Sequence, residues 1–153
     1  MPTFWRISDY FNLEGKGGLR ASGRWSTEGR PIVYLGESPA ACMVERLVHL
    51  FEADGDLPET YKLLEIEVPE AVSIVPLAPL LDLGWKEHPE FTRRSGDEWL
   101  ASFASPIARV PSAVVPRTFN YLLNPLHSDS SQVRILSQSV ERFDARLFVH
   151  RAR

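Results

Sequence analysis

The chain has 153 residues, of which 44% are hydrophobic and 24% are charged, and its formal net charge at pH 7 is −3. This length and balance are typical of one globular domain with a single core, here residues 1–153. The acidic balance argues against direct nucleic-acid binding, because such surfaces carry an excess of Lys and Arg. The single cysteine, Cys42, excludes an intrachain disulfide and predicts a packed thiol in a reducing compartment.

Targeting and metal signals are absent from the sequence. No basic stretch followed by an apolar segment opens the chain, and no apolar run approaches membrane-spanning length. We therefore expect a cytoplasmic protein that does not enter a membrane. The four histidines lack metal-ligand spacing, so no metal site is predicted.

The first elements in chain order are two short strands around a long polar segment. Aromatic and β-branched residues predict strands over 3–7 and 31–35, and the segment 12–30 is rich in glycine and charge. A loop of that length in a compact domain is typically functional. The later predicted elements are strands over 63–68, 71–76, 107–110, 113–115, 132–136 and 146–150, and a helix over 91–103 that starts or breaks near Ser95-Gly96.

A helix is predicted directly after the second strand. Ser38 is suited to the N-cap and Pro39 to the first helical position, and the pattern runs to about Ala53. Glu45 lies on the border of the apolar stripe of this helix, where a carboxylate can face a cleft. Arg46 and His49 are predicted to point further out.

The mixture of strands with two or three helices, without regular βαβ alternation, predicts an α+β fold. The sequence has no GxGxxG after a strand and no GxxxxGK[ST]. Any nucleotide must therefore be held by other means than a Rossmann turn or a phosphate-binding loop.

Seven short stretches, in order and spread over nearly the whole chain, together resemble the RES-domain family of toxins. They are Trp5-Arg6, Ser22-Gly23-Arg24-Trp25, Val33-Tyr34-Leu35, Glu37-Ser38-Pro39 with Glu45 downstream, Gly96-Asp97-Glu98-Trp99, Val110-Pro111-Ser112 and Asn120-Tyr121-Leu122-Leu123-Asn124-Pro125. One position departs from the family pattern, since Ser26 stands where the family usually has Asn. The resemblance implies an ADP-ribosyltransferase-like fold: two small, mainly antiparallel sheets around a cleft, with flanking helices.

The resemblance also implies a function. RES toxins consume NAD by cleaving the nicotinamide–ribose bond, with inorganic phosphate as attacking co-substrate in at least some members and no further cofactor. Water as acceptor would make the enzyme an NAD glycohydrolase, and a protein side chain would make it a mono-ADP-ribosyltransferase. A nucleotide- or protein-binding module without catalysis is the alternative outside enzymes. The implied partner is an Xre-type antitoxin, which would carry the DNA-binding region and form a hetero-oligomer with the toxin.

The chemistry of that cleavage calls for a carboxylate near the ribose, a polar clamp on the phosphates and an aromatic ring. The resemblance assigns these roles to five residues. Glu45 would stabilise the positive ribose, Arg6 and Arg24 would hold phosphates or ribose, Tyr34 would contact nicotinamide or ribose, and Ser112 would position the ribose or the phosphate. Arg6, Glu45 and Ser112 are thus predicted to be catalytic, and Arg6, Arg24, Tyr34 and Ser112 to bind substrate.

The residues alone leave plainer interpretations open. Arg6 is equally suited to a strand-edge surface, Tyr34 to the core and Ser112 to an ordinary turn. Asn120 and Asn124 are expected to stabilise the loop 120–125 rather than to touch substrate.

Overall fold

A computed structural model describes residues 2–52, 57–77 and 84–148 of the chain. Its helices are α1 (Lys16–Arg20), α2 (Pro39–Glu52) and α3 (Pro89–Ser102), and short 3-10 turns lie at Trp85–Glu87, Ser128–Gln132 and Ala145–Phe148. Its strands are β1 (Thr3–Ser8), β2 (Val33–Gly36), β3 (Thr60–Glu67), β4 (Ile74–Pro76), β5 (Ile107–Pro111), β6 (Phe119–Leu123) and β7 (Arg134–Arg142). The predicted α+β class is confirmed.

The strands of the described residues form one sheet in the order β4-β5-β6-β2-β1-β3-β7, and only the β4–β5 pair among them is parallel. β1 pairs with β3 at six positions but with β2 at one, Trp5↔Gly36, which we call the seam. The resemblance implied two separate sheets, and this part of the expectation is wrong. The strands form two halves of one sheet, because β1 and β2 pair at the seam.

The sheet half that contains β2 is buried on both faces. Val33 and Leu35 belong to one apolar cluster, whereas Tyr34 between them packs against a second. The first cluster comprises Phe4, Val33, Leu35, Leu64, Ile66, Val68, Val72, Ile107, Leu123 and Val133. The second comprises Trp25, Ile32, Trp99, Leu100, Ala108, Val110 and Leu122, so α3 and the segment before β2 share a core with β5 and β6.

The start of α2 is as predicted. The Ala41 amide donates to Ser38 Oγ at 3.0 Å, so Ser38 caps the helix and Pro39 takes its first position. The described helix ends at Glu52, and the predicted end at Ala53 with the stop at residues 54–56 lies outside the described residues. α2 packs against β1 and β2, which sets its inward face over the seam.

Several predicted elements are wrong or shifted. Residues 113–115 form a turn instead of a strand, because Pro111 and Pro116 bracket them, and the chain returns as β6 where the sequence predicted a loop. The predicted break at Gly96 is absent, since α3 is continuous from Pro89. Of the predicted strand 146–150, residues 146–148 lie in a 3-10 turn and the rest are outside the described residues. The strand predicted over 132–136 is β7, which starts at Arg134 and continues to Arg142, and the loop 12–30 contains α1.

Candidate functional site

A cavity of about 480 Å³ opens beside the seam, between the inward face of α2 and the segment before β2. This volume lies within the range of roughly 300–1,000 Å³ that is common for small-molecule sites. The polar side chains that line it are Arg6, Ser22, Arg24, Tyr34, Cys42, Glu45, Arg46, His49, Arg93 and Asn120. Four of the five predicted site residues are thus brought together from four separate segments, and Ser112 lies behind them.

Arg6 is a half-buried cation whose hydrogen-bond donors are only partly used. Its Nη1 donates to the Tyr34 carbonyl at 3.2 Å, and its Nε is buried with no hydrogen-bond partner. Desolvation lowers the pKa of Arg6 from the ordinary arginine value to about 10, so the side chain stays charged at neutral pH. A charged group that is buried beside a cavity and only partly paired is suited to an anionic ligand.

Glu45 is held by two side chains that reach it from the β5–β6 connection and from β6. Ser112 Oγ donates to Glu45 Oε1 at 2.7 Å, and Asn120 Nδ2 donates to the same oxygen at 3.0 Å. Glu45 Oε2 has no hydrogen-bond partner among the described residues. One oxygen therefore anchors the carboxylate, and the other remains available on the cavity side.

Ser112 itself is buried, with 4% of its surface exposed, and its hydroxyl is fully engaged. Besides donating to Glu45, it accepts the amides of Val114 and Val115, each at 3.1 Å. Ser112 is not among the cavity-lining residues of the described chain. Its geometry suits the orientation of Glu45 better than a direct contact with substrate.

Tyr34 connects the cavity wall to the segment before β2. Its hydroxyl lies 2.8 Å from Ser26 Oγ and accepts the Trp25 amide at 3.2 Å, and burial raises its pKa. A Cβ at Gly23 would come within 2.3 Å of the Tyr34 hydroxyl, so glycine is required for this approach. Tyr34 therefore fixes the segment that carries Arg24.

Arg24 is placed by α3 and by the turn before it. Its Nη1 donates to the Lys86 carbonyl at 2.6 Å, and its own carbonyl accepts the Thr92 hydroxyl. Arg93 Nε donates to the neighbouring Gly23 carbonyl at 2.9 Å. The backbone on both sides of Arg24 is thus tied to α3, and the side chain faces the cavity.

The stretch Gly96-Asp97-Glu98-Trp99 lies in the middle of α3, where it docks the segment before β2. A Cβ at Gly96 would come within 1.6 Å of the Trp25 carbonyl oxygen. One residue on, Asp97 Oδ1 accepts the Thr27 amide at 2.9 Å and its Oδ2 accepts the Thr27 hydroxyl at 2.5 Å. This stretch therefore shapes the site from outside the cavity.

The sequence interpretation missed four cavity residues: Arg46, His49, Arg93 and Asn120. Arg46 was predicted to point outward, but it lines the cavity with Glu45 because α2 lies over the seam. Asn120 was assigned to loop stability, whereas it holds Glu45. The spacing of Cys42, Glu45, Arg46 and His49 at i, i+3, i+4 and i+7 was the available signal for one shared helix face. Asn124 is structural, as expected: it is buried and donates to the Leu100 carbonyl.

Cys42 lines the same cavity but is poorly suited to act as a nucleophile. Its thiol donates to the Trp5 carbonyl at 3.2 Å, and burial raises its pKa to about 11. A thiol with this pKa carries little thiolate at neutral pH. The predicted packed thiol is confirmed.

Two kinds of feature are absent from the described residues. They contain no group of three or more His, Cys, Asp or Glu side chains placed to hold a metal ion. None of their helices has both the length and the apolar character needed to span a membrane.

The RES domain family model matches residues 3–145 of this chain. The chain belongs to the RES-domain family. The family accounts for all but the ends of the chain, so the motif stretches and the cavity they surround are parts of one RES domain.

Two relatives and one solved structure are similar to this RES domain over most of its length. The protein "Toxin Res" of Pseudomonas putida is 47% identical over 146 residues, which cover 94% of this chain and 98% of that protein. The "Prs ADP-ribosylating toxin" of Sphingobium sp. is 33% identical over 156 residues, which cover 95% of this chain and 96% of that protein. A crystal structure of the M. tuberculosis MbcT-MbcA toxin-antitoxin complex contains a chain with the same fold, at a TM-score of 0.72 and 20% identity, covering 99% of this chain and 89% of that one.

Proposed function

We propose that this RES domain is the toxin of a bacterial toxin–antitoxin pair and that it depletes NAD by phosphorolysis. The observation that carries the proposal is that one cavity holds a carboxylate anchored by one oxygen and a half-buried arginine, Arg6, whose Nε–H has no hydrogen-bond partner. The name of the P. putida relative supports the toxin role, and the cavity chemistry supports a phosphate-bearing substrate with a positively charged reacting centre.

In the proposed reaction, the bond between the ribose anomeric carbon and the nicotinamide nitrogen breaks, and its electron pair stays on nitrogen. Nicotinamide leaves neutral because the ring carried the positive charge in NAD. A phosphate oxygen then bonds to the anomeric carbon, giving nicotinamide and ADP-ribose phosphorylated at that carbon. The step needs no strong acid, and its transition state carries positive charge on the ribose.

Glu45 would stabilise that positive charge through its free oxygen, and Ser112 and Asn120 would fix the angle of the carboxylate. Arg6 and Arg24 would hold the substrate phosphates, with charge-assisted bonds that are stronger than neutral ones. Tyr34 would present its ring to the nicotinamide or ribose while its hydroxyl stays bound to the segment before β2. Ser112, predicted from the family to contact substrate, would act as a positioning residue.

Transfer to a protein is the second candidate function. The Sphingobium relative is named as an ADP-ribosylating toxin, and Arg24 and Arg93, which line the cavity, are both partly exposed to solvent, so an acceptor side chain could approach there. Both functions share cleavage of the same bond and differ in the acceptor.

A cognate antitoxin of the Xre type is part of the proposal. The MbcT-MbcA structure is a toxin-antitoxin complex, which supports a protein partner for this chain as well. We expect the pair to act in the cytoplasm, where NAD is available, and the partner to block the arginine-lined cavity with an acidic or carboxylate-ended segment. An antitoxin whose C-terminal tail is deleted should fail to neutralise; full neutralisation by that deletion would contradict the blocking geometry.

The decisive experiment uses the purified chain, freed of any partner, with NAD in buffers with and without inorganic phosphate, followed by mass spectrometry. Phosphate-dependent NAD loss with a phosphorylated ADP-ribose product is the expected result. Loss without phosphate would indicate hydrolysis or self-modification. No loss in either buffer would move the conclusion to a transferase that needs its protein target, or to a binding module.

A matched pair of variants assigns the activity to the cavity. Glu45→Gln keeps the shape of the side chain and removes its charge, so NAD loss should fall by roughly a hundredfold or more. Glu98→Gln makes the same change on the outer side of α3, away from the cavity, and should retain wild-type activity. Equal activity in both variants would remove Glu45 from the proposed mechanism.

A further inference from the structure

Two arginines in the cavity share an unusual feature. Arg6 and Arg46 both line it, and the Nε of each is buried without a hydrogen-bond partner. In the described part of the chain these are the only buried side-chain nitrogen or oxygen atoms without a partner. Buried donors are almost always paired in native proteins, so two unpaired guanidinium N–H groups in one cavity call for an explanation.

The known partners of the two groups leave part of each guanidinium fork unused. Arg6 donates to the Tyr34 carbonyl through Nη1 alone. Arg46 donates to Asp9 Oδ1 through Nη2 at 2.9 Å, and the Asp9 side chain is 72% exposed. The counter-ion of Arg46 is therefore a largely solvated carboxylate, which offsets the charge of the partly exposed guanidinium only weakly.

The two guanidinium groups also interact with each other. Burial has the largest effect on the pKa of Arg6 and lowers it; the negative charge of Asp9 raises this pKa, and the positive charge of Arg46 lowers it. Two like charges that line one partly desolvated cavity repel each other unless an anion lies between or beside them. The arrangement is thus incomplete in the free protein.

We propose that Arg6 and Arg46 together form a subsite for one phosphate group, next to Glu45. A guanidinium fork matches two phosphate oxygens, and a small rotation of each side chain on entry of the anion would bring the covered Nε–H groups into use. Glu45 and Arg46 are neighbours on α2, so the bound phosphate would lie close to the carboxylate that faces the reacting ribose.

The phosphate group can come from inorganic phosphate or from the pyrophosphate of NAD. The existence of the subsite rests on the unpaired donors; its assignment to a group of the reaction rests on the proposed function. Inorganic phosphate in the subsite would supply the attacking co-substrate, and the NAD pyrophosphate in it would make Arg46 a substrate clamp.

The test measures binding to the intact, partner-free chain by isothermal titration calorimetry, with inorganic phosphate, pyrophosphate and NAD as separate titrants. Arg46→Gln should weaken binding of the phosphate probe by roughly tenfold to a hundredfold, the worth of charge-assisted hydrogen bonds. Asp9→Asn, which releases Arg46 from its counter-ion, should tighten it about two- to fivefold. Arg94→Gln, an exposed arginine of α3 outside the cavity, is the matched control and should change nothing.

The pattern across titrants identifies the source of the phosphate. If Arg46→Gln weakens the binding of inorganic phosphate but changes the affinity for NAD by less than about threefold, the subsite holds the co-substrate. If Arg46→Gln weakens the binding of both NAD and pyrophosphate, and inorganic phosphate competes with NAD, the subsite holds the substrate. The inference is overturned if the wild-type chain binds neither phosphate nor pyrophosphate, or if Arg46→Gln binds every titrant as the wild type does. Thermal unfolding confirms that each variant is folded. Phosphate binding without NAD turnover would leave the subsite standing and count against the proposed function.

Discussion

The desolvation of Arg6 destabilises the free protein, but it leaves an unpaired N–H group available to a ligand. Burial lowers the pKa of Arg6 from the ordinary arginine value to about 10, which corresponds to a penalty on the order of 3 kcal/mol at neutral pH. Because the group is a base with a lowered pKa, the unfolded chain binds more protons than the folded chain from about pH 10 up to the ordinary pKa of arginine. The free energy of unfolding should therefore increase across that window, and below pH 10 the whole penalty is present.

This penalty makes Arg6→Met informative. The substitution removes a buried charge at the cost of one hydrogen bond to the Tyr34 carbonyl, worth about 1 kcal/mol. We expect the free protein to unfold at an unchanged or higher temperature, by up to several degrees, while NAD turnover falls at least about a hundredfold. Differential scanning fluorimetry with an NAD assay checks both. Arg94→Met, at an exposed arginine of α3 outside the cavity, should be neutral in each assay, and a marked loss of stability in Arg6→Met would show that the charge is structural.

Ser112 can be separated from the substrate-contacting residues by kinetics. Because its hydroxyl is buried and bound to Glu45, Ser112→Ala should lower kcat by roughly ten- to a hundredfold and change KM for NAD by less than about threefold. Asn120 still holds the same Glu45 oxygen, which limits the loss. The exposed hydroxyl of Ser131 supplies the control, Ser131→Ala. A raised KM with unchanged kcat would restore the direct substrate contact that the family pattern implied.

At the scale of elements, α3 carries no predicted catalytic residue and yet places Arg24. Its Gly96 admits the Trp25 backbone, its Asp97 binds Thr27 through two hydrogen bonds, and its Arg93 binds the Gly23 carbonyl. The family stretch around Gly96 is thus explained by docking. The position of the segment before β2, and with it one wall of the cavity, depends on this helix.

Two glycine variants test the docking. In Gly96→Ala the new methyl group would overlap the Trp25 carbonyl, which should cost on the order of 1–3 kcal/mol, lower Tm by about 3–10 °C and reduce NAD turnover at least tenfold. Gly17→Ala places its methyl group in open space on α1, so it should be neutral or slightly stabilising and fully active. Equal behaviour of the two variants would mean that Trp25 can move away freely.

Local signals decided which elements the sequence could predict. The Ser38 cap and the alternation of β3 are properties of neighbouring residues, so the sequence predicts both. β6 was missed because Asn120 and Asn124 read as turn residues, although Asn120 pairs with Gly36 in the sheet and points its amide at Glu45. The inward direction of Arg46 depends on where α2 lies over the seam, which is a tertiary property that helical periodicity alone does not contain.

At the scale of the whole molecule, the cavity lies where the two halves of the sheet meet. β1 brings Arg6 from one half and β2 brings Tyr34 from the other, and their strands share the single register pair Trp5↔Gly36. The Arg6 side chain bonds the Tyr34 carbonyl close to that pair, and Cys42 of α2 bonds the Trp5 carbonyl. The family resemblance predicts the residues of the site from the sequence. The joining of both halves in one sheet is visible only in the backbone pairing of the structure.

The seam can be tested by a double-mutant cycle. A Cβ at Gly36 would come within 2.5 Å of Cys42 Sγ, so Gly36→Ala should push α2 from β2, cost on the order of 1–3 kcal/mol and reduce NAD turnover, because Glu45 and Arg46 move with the helix. Cys42→Ala alone should be mild, since the thiol makes one hydrogen bond to the Trp5 carbonyl. In the double variant the new methyl group takes the space that the sulfur leaves. Chemical denaturation should then show a favourable coupling of about 1 kcal/mol or more, with recovery of most turnover.

Additive losses in stability and turnover would contradict this expectation. They would mean that glycine is needed at position 36 for the backbone conformation of β2 and that α2 is positioned by other contacts.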